Sequence, residues 1–135
     1  MLRTRKESTT SLEVVKEFSF DSAHFLPNYP GKCSKMHGHH WILQVGVRGF
    51  YNAKTGMVLD FNDLKDTVQG LIIDPLDHTL LNDEDNSSRP GFPYSQPTAE
   101  RIVEWIAKVL EPVLLNLSLI RLYETPTSYV EWRAS

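Results

Sequence analysis

The sequence has one cysteine, no long apolar run and no marked excess of either charge, and each shortage closes off a class of protein. A single cysteine cannot form an internal disulfide, so the chain is no disulfide-stapled secreted domain and a reducing compartment is expected. No stretch approaches the roughly 18 consecutive apolar residues that a membrane-spanning helix requires. Acidic residues number 17 against 14 basic ones, a formal net charge of −3, and that balance offers nothing to a nucleic-acid backbone. The opening "MLRTRKESTTSLE" is basic and polar with no hydrophobic segment behind it, unlike a secretory signal. It is expected to be a flexible tail over residues 1–11, ahead of one domain over 12–135. Internal repeats and low-complexity tracts are also missing. The expected setting is the cytoplasm, with neither membrane nor nucleic acid as a partner.

What is present is 135 residues, 41% of them hydrophobic and 23% charged, enough to bury a core. "LEVVKEFSFDSAHF" has the β-branched and aromatic content and partial alternation of a strand, placing Phe18, Phe20, Ser22 and His24 on one face. "HGHHWILQVGVRGF" predicts a second strand, with His37, His39, Trp41, Leu43, Val45 and Val47 on one side and His40, Ile42 and Gln44 on the other. The Pro- and Gly-containing "LPNYPGKC" between them suits a loop joining antiparallel neighbours. In "DFNDLKDTVQGLI" the period changes: Phe61, Leu64, Val68, Leu71 and Ile72 follow helical spacing behind a capping Asp60. "PTAERIVEWIAKVLEPV" predicts a second helix, capped by Thr98, striped with Ile102, Ile106, Val109 and Val113, and ended by Pro112. Before it lies an aperiodic stretch, Asn82 to Pro97, of the length usually associated with mobile or functional loops. "LSLIRLYE" and "SYVEWR" are two short strands around "TPT". The expected class is α+β, with two helices on one face of an antiparallel sheet.

The chemistry gathers in "KCSKMHGHHW", residues 32–41. His37 and His39 stand two apart on one strand face, and His24 reaches the same spot if the two strands pair. Three imidazoles from two rigid strands fit a zinc ion with one open position. His40 points the other way and is assigned to structure. Cys33 has three readings: an inert buried thiol, a fourth ligand that closes the metal site, or a base or nucleophile beside the metal, its thiolate favoured by zinc, Lys32 and Lys35. Asp77 and His78 are adjacent in "DPLDHTLLND"; such a pair can orient an imidazole for proton transfer with Cys33 as third member, or be an ordinary polar junction. Glu124 ends a strand, where it can accept two N–H bonds from the guanidine-like edge of a heterocycle or simply be solvated. Lys32, Lys35 and Arg89 are the basic side chains available for an anionic substrate.

The ordered set "FDSAHFLP", "CSKMHGHHW", "TGMVLDFNDLK", "PLDHTLLND", "PTAE" and "YETPT" resembles the 6-pyruvoyl-tetrahydropterin synthase family, and within it the bacterial 6-carboxy-5,6,7,8-tetrahydropterin synthase branch. The resemblance implies the tunnelling fold, ββααββ subunits closing into barrels that stack as hexamers, with active sites between subunits. It implies zinc on His24, His37 and His39, proton transfer by Cys33, Asp77 and His78, and a pterin ring anchored by Glu124, with Thr98 as a further ring contact. The implied reaction converts 7,8-dihydroneopterin triphosphate to 6-carboxytetrahydropterin, acetaldehyde and triphosphate, towards 7-deazaguanine and queuosine-type nucleosides. The C-x3-H spacing from Cys33 to His37 resembles the carboxy branch. The pyruvoyl-type reaction, which keeps the side chain whole, and a non-catalytic pterin-binding relative are the alternatives. Two features depart from the family pattern: Ser22, where many relatives have alanine, and the longer Asn82–Pro97 loop.

Overall fold

The computed structural model describes residues 9–135. Most of the tail expected over 1–11 therefore lies outside the described residues, and residues 9–11 form no helix or strand. β1 (Leu12–His24) and β2 (His37–Gly49) form an antiparallel hairpin paired along its whole length, from Leu12 opposite Gly49 to His24 opposite His37. Period-two alternation then decides the burial: Phe18, Phe20, Ser22 and His24 of β1 and Trp41, Leu43, Val45 and Val47 of β2 are buried. Phe20 and Trp41, both essentially without solvent contact, stack with ring centres 5.8 Å apart.

α1 (Phe61–Val68) starts where Asp60 accepts a 2.7 Å bond from the Asn62 N–H. The sequence pattern ends this helix near Ile72, but the chain continues through a π-helical stretch, Gln69–Ile73, into a last turn, α2 (Asp74–Leu76). The wider π turn rotates the apolar face, so that Ile72, Ile73 and Leu76 are all buried. Phe61 and Leu71, expected in the stripe, are exposed instead. Next comes a two-residue strand that no pattern marks, β3 (Thr79–Leu80), parallel to β1 at Ser22 and Ala23. α3 (Ala99–Leu110) is capped by Thr98, and ends two residues before Pro112, which leaves Val113 exposed rather than in the stripe. β4 (Leu117–Thr125) and β5 (Ser128–Arg133) complete a sheet ordered β3-β1-β2-β4-β5. The helices cover one face of it, giving the α+β arrangement read from the sequence. No helix among the described residues is long and apolar enough to cross a membrane.

The long loop is pinned by buried polar contacts, against the mobility its composition suggests. Asn82 pairs through both side-chain atoms with the backbone of Phe25, at 2.9 Å each. Arg89, 3% exposed, donates to Thr79 Oγ1 at 3.1 Å and to the Leu80 carbonyl at 2.9 Å, and its guanidinium lies 4.8 Å from the centre of the Phe92 ring. Phe92 meets Trp105 edge-on, and Trp105 Nε1 donates to the Pro90 carbonyl at 3.0 Å. This corrects the sequence reading of Arg89 as an anion contact, since its charge is sealed beneath the loop and spent on β3. Arg89→Met should lower stability by about 1.5–3 kcal/mol, the usual worth of hydrogen bonds to a charged group, measured by urea unfolding.

Candidate functional site

The hairpin register sets His24 directly across from His37, with His39 two residues along on the same face. Ring centres of His24, His37 and His39 lie 4.6, 5.2 and 4.9 Å apart pairwise, with planes steeply inclined to one another. With Glu124 they form a set whose ligand atoms all lie within 4.8 Å of one another. Backbone carbonyls orient two of the rings: His24 Nδ1 is 2.9 Å from Pro97 O and His37 Nδ1 is 2.7 Å from Lys35 O. That contact makes Nδ1 the protonated nitrogen and leaves the Nε2 lone pair of each ring to a ligand. Neither orienting group is visible in the sequence, because each is a main-chain atom brought in by folding.

His24 Nε2 and His39 Nε2 are buried without a hydrogen-bond partner. His39 Nε2 does approach Glu124 Oε1 at 3.2 Å, but as a charge contact that does not meet hydrogen-bond geometry. Buried polar atoms left unmatched are costly, so two converging on one point mark a place built for a ligand. Desolvation pushes the His24 and His39 imidazoles below their ordinary value of 6.5, against the pull of Glu124. Both are accordingly neutral, as metal ligation requires. The residues present fit a metal ion.

Glu124 owes its place to an irregularity. The β4–β5 ladder shifts register between Tyr123 and Thr125, and the last β2–β4 pair is Ile42 with Tyr123. Such bulges re-aim side chains next to sites. Beyond this point β2 keeps β1 as a partner but loses β4, and a cleft of about 640 Å³ opens, lined among others by Gly38, His39, His40, Ile42, Tyr123 and Glu124. No atom lies within 4 Å of where a Cβ on Gly38 would stand, so that residue leaves the cleft open.

The other expected residues are dispersed. Cys33, half-buried on a single turn, Lys32–Ser34, does not join the imidazole set, so the metal site closed by three histidines and a cysteine is not formed. Asp77 and His78 stand on the other side of β1 from β2, with His78 Nδ1 3.0 Å from Asp77 Oδ1. The Asp21 N–H, donating to Asp77 Oδ1 at 2.9 Å, is the main cause holding the Asp77 carboxyl below its ordinary value; His78 adds to it. Ser22 Oγ donates to the Leu76 carbonyl, tying β1 to the turn just before this pair. Thr98 spends its hydroxyl oxygen on the Arg101 N–H at 3.2 Å. Lys32 and Lys35 are exposed. His40 is on the opposite face, 2.7 Å from Asp21.

Residues 13–135 match the family model described as 6-pyruvoyl tetrahydropterin synthase. The chain belongs to that family. Relatives include the 6-carboxy-5,6,7,8-tetrahydropterin synthase of Haemophilus influenzae, 41% identical over 90% of this chain and 98% of the relative. The protein of the same name from Synechocystis is 38% identical over 85% of this chain and 88% of its own. Among solved structures, the Caenorhabditis elegans 6-pyruvoyl tetrahydropterin synthase superposes with a TM-score of 0.79 at 25% identity, over 93% of this chain and 97% of that one.

His37→Ala should cut metal affinity by about a hundredfold or more, as expected for losing one of three imidazole ligands, read by competition with a chelating dye. The metal-free protein should also lose stability as pH falls. With folded-state pKa values of His24 and His39 below 6.5, the unfolded chain binds protons first. Their contribution is fully present above 6.5 and disappears on going below it, and urea midpoints should fall less steeply in His24→Gln.

Proposed function

We propose that the protein is a zinc-dependent 6-carboxy-5,6,7,8-tetrahydropterin synthase, a lyase acting on 7,8-dihydroneopterin triphosphate and water to give 6-carboxytetrahydropterin, acetaldehyde and triphosphate. The observation that carries this reading is the trio of imidazoles with two unmatched buried nitrogens, opening beside Glu124 onto a cleft. The names of the relatives at 41% and 38% identity support the carboxy product over the pyruvoyl one. The product would feed 7-deazaguanine and queuosine synthesis in the cytoplasm.

His24, His37 and His39 would hold the zinc. When bound, zinc supplies Lewis acidity to the hydroxyls of the substrate side chain, easing loss of the neighbouring protons. Glu124 anchors the ring by accepting N–H bonds from its guanidine-like edge, the two acceptor oxygens matching two donors. Thr98 keeps a lesser part in ring contact through the segment it shares with Pro97. Cys33, as thiolate, takes a proton from the side-chain carbon. His78, its Nδ1 held by Asp77, moves a proton through Nε2.

Within one chain Cys33 does not join the compact group that holds Asp77 and His78, and a site assembled between subunits would bring them together. β5 offers an open sheet edge among the described residues, as does most of β1 beyond the two residues of β3. An open edge invites another strand. Both features support a barrel of several copies, and we infer a homo-hexamer.

The test is an anaerobic assay of the zinc-loaded protein with 7,8-dihydroneopterin triphosphate, read by mass spectrometry with acetaldehyde trapping. Acetaldehyde with a carboxylated tetrahydropterin is expected; a pyruvoyl product without acetaldehyde would transfer the protein to the other branch. Cys33→Ala should reduce kcat by about 10²–10⁴, the range for removing a general base, while leaving zinc content intact.

A further inference from the structure

Asp21 belongs to neither the imidazole set nor the cleft lining, yet it meets both members of the Asp77–His78 pair. Its N–H donates to Asp77 Oδ1 at 2.9 Å, and its carbonyl accepts from the His78 N–H at 2.7 Å. Its carboxylate belongs to a second compact set, in which ligand atoms of Asp21, Asp77 and His78 all lie within 4.8 Å of one another. That carboxylate is in turn held by His40, whose Nδ1 is 2.7 Å from Asp21 Oδ1. Strand alternation explains the arrangement: Asp21 and His40 are paired across β1 and β2 and point away from the metal-ligand face.

His78 needs such help. Within one chain its side chain is 80% exposed, so no packing from that chain fixes the ring, and its backbone sits at φ 58°, a left-handed conformation uncommon outside glycine. Within the chain, polar contacts set the ring's direction. Asp77 Oδ1 accepts from the Asp21 N–H on one side and faces His78 Nδ1 on the other, so the backbone of Asp21 aims the carboxylate that aims the imidazole. The Asp21 side chain adds a second negative charge near the ring, which favours the imidazolium formed when His78 accepts a proton. Two neighbouring carboxylates repel, and the His40 contact offsets that repulsion on the Asp21 side.

We propose that Asp21, oriented by His40, is a positioning residue for the Asp77–His78 pair. The inference rests on the reading of that pair as a proton-transfer group. Asp21→Asn preserves the main-chain bonds and the side-chain shape while removing the charge, so it isolates the carboxylate. In the zinc-loaded protein, kcat should fall about 10- to 100-fold, roughly the worth of one favourable charge lost beside the ring while the main-chain bonds remain. KM should stay within about twofold, because ground-state binding is untouched. Zinc content and urea midpoint should not change, His40→Phe should give a smaller loss of the same kind, and Asp21→Asn should cost nothing further in a His78→Ala background. If Asp21→Asn keeps full kcat while His78→Ala loses it, the role of Asp21 is wrong and the proton-transfer pair stands. If His78→Ala itself turns over normally, both fall. A loss of kcat accompanied by a lower midpoint and a raised KM would reduce Asp21 to an ordinary structural residue.

Discussion

The register of the β1–β2 hairpin is the constraint on which everything else depends. Thirteen residues of β1 pair with thirteen of β2 without a break, ending with His24 against His37. Because side chains alternate, a slip of one residue would carry His24 to the solvent face and Phe18 and Phe20 out of the core together. The same apolar surface that drives folding therefore fixes the imidazole geometry. Phe20 and Trp41 stack directly behind the histidines, and Trp41 meets both His24 and His39 edge-on. The imidazole trio is in effect the polar end of the core.

Around that hairpin the other elements supply orientation. α3 and the loop before it deliver the Pro97 carbonyl to His24, and Arg89 beneath the loop locks it to β3. The run from α1 through the π turn to α2 ends beside β1, where Ser22 and Thr79 hydroxyls both donate to the Leu76 carbonyl. From there the chain must turn sharply, and His78 takes the left-handed conformation while its N–H bonds back to Asp21. Strain at one residue is thus offset by hydrogen bonds on either side, a distribution characteristic of functional loops. The family departure at Ser22 falls at this same joint, so it has a structural use that the sequence alone did not assign.

The two faces of the sheet have different tasks. One is covered by helices and ends in the imidazole trio. The other carries Glu17, Asp21, His40, Gln44, Arg121 and Glu131, many of them paired across strands, as in Arg121 with Glu131 and with Gln44. A polar, cross-linked sheet face with open edges suits the lining of a barrel better than the outside of a monomer. Asp77 and His78 belong with Asp21 at the edge of this side, just before β3.

Several features were legible in the sequence because they depend on local periodicity. Alternation alone placed His24, His37 and His39 on one face and His40 on the other, and capping residues located the starts of α1 and α3. The π turn, β3 and the exposure of Phe61, Leu71 and Val113 were hidden, since each depends on how a helix face meets the sheet rather than on its own spacing. The place of Arg89 was hidden for a related reason: a lone arginine in a polar loop gives no sign of the carbonyl it will find. Likewise the orienting carbonyls of Lys35 and Pro97 are common to every residue type and acquire meaning only by proximity. By itself the sequence determined which strand face His24, His37, His39 and His40 occupy, because side-chain direction along a strand is fixed by covalent geometry. Only the tertiary structure decided which nitrogen each ring presents, where Glu124 is aimed and which backbone holds His78, because those depend on contacts between segments far apart in the chain.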